Sequence, residues 1–507
     1  MEKNNIRILS RKSDLAQIQA KLVGLEIKHK FPHLNISYLT KITEGDIDRK
    51  SPLSEMKETG VFTDDLRKSL IAKECDMIVH SWKDLPIDVG SKTIISGSLK
   101  RADERDILLV NKNKINQIKK YKKISILTSS PRRVYNLKDF VLNYFPFKCE
   151  EVTFENVRGN IPTRLKKLLE GNSDALIVAK AAIDRLLNNP FKEYEDLSKE
   201  IKNYMDKCSW MILPLSINPS SPGQGALAIE IRSEDQQLSE TIKSISDPLC
   251  VACVHNEREV LKKYGGGCHQ EIGVSFFPTF FGLVKCEKGE TDKGKKFYSW
   301  SVINTNGKKN TKVNKNEIFP ENLLDYKFFK RITLKDSINK INSLENNCIW
   351  ISRKSALPQE SSLSSTNIIW TSGNKTWKAL ADRGIWVNGS SDSMGEDFNP
   401  KINTLCQFPW IKLAHNNSSK SLISDVIFTY KLVEEENLPN LDNKKYFYWM
   451  SSSAFKLAIN KKPRILDAYH ACGPGNTFKE IKKMIKDSTK LSVHLSYDQW
   501  RSSLINE

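Results

Sequence analysis

Short apolar runs that end in polar or hydroxylated clusters recur along the first part of this chain. Ile6-Arg7-Ile8-Leu9-Ser10 reads as a strand, followed by Arg11-Lys12-Ser13-Asp14 and an amphipathic helix from about Leu15 to Lys30. Ser13 or Asp14 is the expected N-cap, because a short side-chain oxygen can accept from the unpaired N–H groups of the first turn. Met77-Ile78-Val79-His80 predicts a buried strand running into Ser81-Trp82-Lys83-Asp84-Leu85-Pro86. Lys123 to Leu127 predicts another, ending in Thr128-Ser129-Ser130-Pro131-Arg132-Arg133 before a helical stretch, and Ala175 to Ala179 a further one. Strands alternating with helices indicate doubly wound α/β domains. Ligands of such domains sit at the carboxyl ends of the strands, where most of these polar clusters fall.

Beyond about residue 320 the texture changes and a weak internal repeat emerges. Trp350-Ile351-Ser352-Arg353-Lys354-Ser355-Ala356-Leu357 resembles Trp449-Met450-Ser451-Ser452-Ser453-Ala454-Phe455. Downstream of each, Gly373-Asn374-Lys375-Thr376-Trp377-Lys378 echoes Gly475-Asn476-Thr477-Phe478-Lys479. The offset of roughly 100 residues is too long for a solenoid. It predicts two related α/β lobes, each with a Ser-rich strand end and a Gly/Thr turn opening a helix, where exposed N–H groups can bind anions.

Composition narrows the class. The 507 residues allow about three or four domains, and 39% hydrophobic with 27% charged residues is the balance of a soluble globular protein. No run approaches the ~18 apolar residues of a membrane span, so no membrane partner is expected. The first residues, Met1 to Arg7, lack the apolar centre of a signal peptide, and a cytoplasmic location is expected. The ten cysteines are irregularly spaced and form no disulfide framework. Cys250-Val251-Ala252-Cys253 is a lone C-x-x-C without a second pair, so no metal is expected. The net charge of +19 comes largely from lysines scattered among Asn and Ile, with no aromatic or motif signature of nucleic-acid binding.

Arginine beside small hydroxylated residues at loop-to-helix junctions is the chemical theme. It recurs at Arg11 with Ser13, at Ser129-Ser130 with Arg132-Arg133, and at Arg158-Gly159-Asn160 with Arg164. Guanidinium forks bind carboxylates bidentately, and three such clusters point to a polyanionic ligand. Asp84 stands among these cations, either as a proton shuttle and stabiliser of developing positive charge or as a simple ion-pair partner. Cys268 follows Gly265-Gly266-Gly267. That run either presents a thiol for covalent chemistry or is a glycine turn that ends in cysteine.

Five segments together resemble porphobilinogen deaminase, also called hydroxymethylbilane synthase. They are Val79-His80-Ser81-Trp82-Lys83-Asp84-Leu85-Pro86, Thr128 to Arg133, Val157-Arg158-Gly159-Asn160-Ile161-Pro162-Thr163-Arg164, Pro222-Gly223-Gln224-Gly225-Ala226 and Gly266-Gly267-Cys268. The matches run in family order from Arg7 to about residue 310. Pro131 stands where the family usually has Leu, and Thr59 stands before Gly60 where Lys is common.

The resemblance implies two doubly wound, periplasmic-binding-protein-like domains, 1–107 with a return segment 222–243 and 108–221, plus a small α+β domain 244–315. It implies a dipyrromethane cofactor on Cys268, held by a thioether. Porphobilinogen would lose ammonia to an electrophilic azafulvene, which the free α-carbon of the growing pyrrole chain attacks, and hydroxymethylbilane would be released. Asp84 would be catalytic. Arg11, Ser13, Lys83, Ser129, Arg132, Arg133, Arg158 and Arg164 would bind cofactor and substrate carboxylates, with Gln19, Phe62, Ser81 and Gly159 elsewhere in the cleft.

Residues 317–507 weakly resemble uroporphyrinogen-III synthase, through Ser451-Ser452-Ser453-Ala454, Gly473-Pro474, and Lys431-Leu432-Val433 before Leu438-Pro439. That resemblance implies a two-lobed α/β region with Ser352, Thr376, Ser451, Ser452, Tyr469 and Thr477 as cleft residues. The expectation is a monomeric bifunctional enzyme that takes porphobilinogen and hydroxymethylbilane as its small-molecule ligands. A deaminase with a degenerate or scaffolding C-terminal region, and a non-catalytic anion-binding module, are the alternatives.

Overall fold

A computed structural model describes residues 5–43, 63–87, 90–265, 270–303, 313–416, 423 and 425–505. Thr59, Phe62 and the Gly266-Gly267-Cys268 segment lie outside the described residues.

The first sheet has the order β2-β1-β3-β10-β4. It comprises β1 (Asn5–Arg11), β2 (Asn35–Lys41), β3 (Met77–Ser81), β4 (Thr93–Gly97) and, far later in the chain, β10 (Leu227–Arg232). β1 is parallel to β2 and β3, whereas β10 is antiparallel to β3 and β4. Alternation along β10 sends Leu227, Ile229 and Ile231 into a core with Ile8, Val23, Ile27 and Val79. The intervening Glu230 is equally buried but faces His80, Arg67 and Thr93. The preceding helix, Asp14–Lys30, buries Ile18, Gln19, Ala20, Val23, Gly24 and Ile27, the spacing of one helical face. Ser13 occupies its cap position, yet the side chain makes no capping hydrogen bond.

The second sheet, order β7-β6-β8-β5-β9, uses β5 (Asp106–Asn111), β6 (Lys123–Leu127), β7 (Glu151–Glu155), β8 (Ala175–Ala179) and β9 (Cys208–Ile212). β5 and β8 are buried along their whole lengths, which is why β8 and the middle of β5, Ile107 to Val110, read as apolar runs. β5 runs antiparallel to both of its neighbours. Each sheet is therefore mixed rather than wholly parallel. The physical cause is the connectivity: β5 and β10 are the strands entered when the chain crosses from one sheet to the other. The expected edge at 107 falls inside β5.

A three-stranded antiparallel sheet follows, β11 (Gly273–Thr279), β12 (Gly282–Glu290) and β13 (Lys296–Ile303), against which the helix Pro248–Lys263 packs.

The remaining chain builds two further sheets. One is β15-β20-β19-β16-β17-β18, from β15 (Phe329–Thr333), β16 (Cys348–Ile351), β17 (Ile368–Thr371), β18 (Gly389–Ser390), β19 (Trp410–His415) and β20 (Asp425–Glu434). The other is wholly parallel, β14 (Ile318–Phe319), β21 (Tyr446–Trp449), β22 (Tyr469–Cys472) and β23 (Leu491–Val493). The two copies of the sequence repeat fall at equivalent places: β16 and β21 end in the Ser-rich turns, and Gly373 and Gly475 cap the helices Asn374–Ala381 and Asn476–Met484.

The second half is packed hard against the first. Trp377 sits edge-on to Phe140 and Tyr144 and donates its indole N–H to the Tyr144 carbonyl at 3.0 Å. The edge of β9 meets the residue just before β18 through Ile212 N–H to Asn388 O, 2.8 Å. Phe140, Met211, Ile349 and Trp377 share one hydrophobic core. Among the described residues, no helix is long and apolar enough to cross a membrane.

Candidate functional site

The carboxyl ends of β1, β3 and β8 converge on one cavity of about 630 Å³ between the first two sheets. That is within the ordinary range for a small-molecule site. One wall is the β1–helix junction, Arg11 to Leu15 with Gln19, together with Ser81, Lys83 and Asp84 beyond β3. The other is Arg133, the Arg158–Arg164 turn and the helix Lys180–Leu187, and Gln224 to Ala226 close the floor. Among the described residues, seven cations, Arg11, Lys12, Lys83, Arg133, Arg158, Arg164 and Arg185, line it against two carboxylates, Asp14 and Asp84.

Local geometry fixes these side chains. Ser81 Oγ donates to Gln19 Oε1 at 3.1 Å. Asn160 caps the helix Ile161–Glu170 by accepting from Thr163 N–H, and Arg164 Nε donates to Gly159 O at 2.8 Å. Gly159 has φ +113°, and a Cβ there would lie 2.9 Å from Thr163 Cγ2, so only glycine fits the turn. Gly225 has φ +86° with its absent Cβ 2.6 Å from Ala102 O, which lets the two crossing segments touch.

Behind the cavity wall, Asp106 collects donors from distant parts of the chain. Arg133 grips it through Nε and Nη2 (3.1 and 2.7 Å), Arg132 through Nη2 (2.9 Å), and Asn218 and Gln224 through their side-chain amides (both 2.9 Å). Burial alone would raise the Asp106 pKa, but Arg133 and Arg132 outweigh it and hold it far below the carboxylate range.

This hub corrects the expectation for Arg132. Its guanidinium is buried on Asp106, Asn218 Oδ1 and Pro219 O rather than lining the cavity. Ser129 is likewise not in the lining; it ties two turns by donating to Val157 O and accepting from Val157 N–H.

The cavity is electrostatically primed for anions. Burial, together with Arg133 and Arg158, lowers the Arg164 pKa to about 10. Burial lowers Arg185 likewise to about 10, and it depresses Lys83, where Asp84 opposes the shift and Arg133 adds to it. An incoming carboxylate relieves this crowding of like charge. Asp84 is the exposed acid at this wall.

Arg185 was missed by the sequence reading. Ala181 and Arg185 are four residues apart on the helix that follows β8, so they share the face that turns back over the strand end. That spacing was the available signal.

The small sheet's helix Pro248–Lys263 reaches the same region. Arg258 donates to Leu85 O and Pro86 O, immediately after Asp84, and the His255 ring meets Trp82 edge-on. Two residues beyond this helix, Gly265 adopts φ +97°, and Gln270 Nε2 donates to Tyr264 O. Cys268 itself lies between, outside the described residues.

In the second half, the carboxyl ends of the two sheets face each other. Gly475 in one lobe abuts Gly395 in the other, and the Tyr326 hydroxyl accepts from Met450 N–H at 3.0 Å. Ser352, Ser451, Ser452 and Thr477 all fall at this edge. Ser451 accepts from Ala454 N–H as a helix cap.

Two expected cleft residues have other surroundings. Tyr469 opens β22 opposite Tyr446, at the amino end of the parallel sheet, and stacks on that ring. Thr376 is buried in a helical turn whose neighbours Asn374 and Trp377 bond across to Ser216 and Tyr144 of the first half. Arg353, which the sequence did not single out, has a buried Nε with no hydrogen-bond partner among the described residues. Burial, with Arg353, Lys412 and Arg331 nearby, pushes the His415 pKa down to about 4.

Comparison with known proteins bears on the first half. The family described as porphobilinogen deaminase, dipyromethane cofactor binding domain, matches residues 6–240. The porphobilinogen deaminase of Chlorobium phaeovibrioides is 35% identical over 271 residues, 54% of this chain and 78% of that protein. That of Chlorobium luteolum is 36% identical over 54% and 79%, and that of a Nostoc species 35% identical over 54% and 77%. Among solved structures, the methionine binding protein MetQ aligns with 51% of this chain and 96% of its own at 10% identity, with a TM-score of 0.29, too low for a fold argument.

Proposed function

This chain belongs to the porphobilinogen deaminase family, and on that premise we propose that the cavity between the first two sheets is where porphobilinogen units are joined. The observation that carries the reading is the lining, among the described residues, of seven cations around the exposed Asp84. The covalent dipyrromethane of the family is built from two porphobilinogen units, each with an acetate and a propionate, and the cationic lining suits those carboxylates. When bound, it supplies the pyrrole carbon to which each new unit is joined with loss of ammonia.

Arg11, Arg133, Arg158, Arg164 and Arg185 hold carboxylates in this reading, with Lys83, Ser13 and Gln19 beside them. Arg132 acts from behind, by fixing Asp106 and through it Arg133. Asp84 accepts hydrogen bonds from pyrrole N–H groups and stabilises positive charge as ammonia leaves. Cys268 is the attachment thiol; the approach of the Pro248–Lys263 helix to Leu85 and Pro86, with left-handed Gly265 just beyond, supports it. The domains in this reading are about 1–105 with the return strand β10, 106–221, and 244–315.

For residues 317–507 we propose closure of the linear tetrapyrrole to uroporphyrinogen III. Two α/β lobes with facing carboxyl ends, one sheet wholly parallel and the other parallel apart from β15, support it, as do Ser352, Ser451 and Thr477 at that edge, with the Arg353 guanidinium as a carboxylate donor.

Intact mass and product analysis test both parts. The purified chain should exceed its sequence mass by one dipyrromethane, and Cys268→Ala should remove the excess. An unmodified, inactive wild type would sink the deaminase assignment. With porphobilinogen as substrate, isomer III should accumulate, whereas isomer I alone would reject the cyclisation.

A further inference from the structure

The helix Lys180–Leu187, which brings Arg185 into the cavity, is held from the far side by the C-terminal half. Thr404 Oγ1 donates to Asp184 Oδ1 at 2.5 Å. The other oxygen, Asp184 Oδ2, accepts from Lys180 Nζ at 2.5 Å, and Lys180 is fully buried. Lys180 also faces Asp103 Oδ2 at 3.5 Å. Asp103 is bound bidentately by Arg105, at 2.9 and 2.6 Å, and Arg105 Nη2 donates on to Pro400 O at 2.6 Å. The Arg105 guanidinium also lies 5.6 Å from the Trp370 ring centroid of the C-terminal half.

The network thus begins and ends on one C-terminal segment, at Pro400 and Thr404, and encloses the first turn of the Lys180–Leu187 helix. Arg185 is the residue next to Asp184. Its Nη2 donates to Gly225 O at 2.7 Å on the cavity floor, so a small rotation of this helix moves the guanidinium relative to that floor.

Thr404 belongs to the C-terminal half, outside residues 6–240 that the family matches. We propose that Thr404, in the C-terminal half, is a positioning residue for the deaminase cavity: through Asp184 it fixes the helix that presents Arg185 to the substrate's carboxylates. The two halves are therefore coupled through the substrate-binding wall of the first site. The inference rests on the reading of this cavity as the deaminase site.

The expected signature separates positioning from mere stability. In the full chain with porphobilinogen, Thr404→Val should raise KM about 5- to 10-fold with kcat changed less than twofold, and Thr404→Ser should restore the wild-type value. In an Arg185→Lys background the same Thr404→Val change should add less than twofold, because the group it positions is already altered. An unchanged KM in Thr404→Val, even with a lower melting temperature, would overturn the proposal, as would a full additive effect in the Arg185→Lys background. A wild type that releases no ammonia from porphobilinogen would instead reject the cavity reading, and the positioning role with it.

Discussion

Three acidic side chains of the first half differ in what surrounds them, and that difference sets what each can do. Asp84 is exposed beside a cationic cavity, so its carboxylate is available to a ligand. Asp84→Asn should keep porphobilinogen binding within a few-fold while lowering turnover about 10²- to 10⁴-fold, the span for loss of one acid–base group. Near-normal turnover in an ammonia-release assay would refute its role.

Glu230, fully buried, accepts from Arg67 and Thr93 and pairs with His80. Burial opposes its ionisation, but those hydrogen bonds prevail and lower its pKa to about 2. A depressed folded-state pKa gives stability that is present above the unfolded value, about 4.3, and is lost as pH falls through it toward 2. Urea unfolding should show a loss on the order of 3 kcal/mol across that window. Glu230→Gln should flatten this pH slope, and an unchanged slope would remove Glu230 as its source.

Asp84 was legible because it lies in a contiguous motif. The Asp106 hub was not, since its donors come from positions 132, 133, 218 and 224, which no local pattern brings together.

Helices and strand ends are legible where one face is apolar and the turn chemistry is local. The strands at Ile6, Met77, Lys123 and Ala175 stand where their apolar runs predicted, as do the matched turns of the internal repeat. The direction of a strand was not legible: β5 and β10 are antiparallel insertions whose apolar character resembles that of their parallel neighbours. The helix Asn374–Ala381, expected to open an anion site, also buries Trp377 between the halves, which no local pattern shows. Trp377→Ala should cost about 3–5 kcal/mol in urea unfolding, through the cavity it leaves and the lost bond to Tyr144 O. A cost below about 1 kcal/mol would show that this contact is not part of the folded core.

At the scale of the molecule, the two halves share hydrophobic cores and a strand-edge contact at Ile212 and Asn388. Residues 1–315 produced alone should therefore melt about 5–10 °C lower than the full chain, because Phe140, Tyr144 and Trp210 lose their cover. An equal melting temperature would mean that the interface contributes nothing to the first half.

The sequence by itself determined the α/β elements, the arginine–hydroxyl theme and the family of the first half. Each of those is written in short contiguous segments whose periodicity and side-chain chemistry act locally. Only the tertiary structure decided which arginines line the cavity, that Arg132 stands behind it on Asp106, that Arg185 joins it, and that Thr404 reaches Asp184. Those facts depend on contacts between residues up to hundreds of positions apart, and the direction of a buried side chain is set by the partners that enclose it.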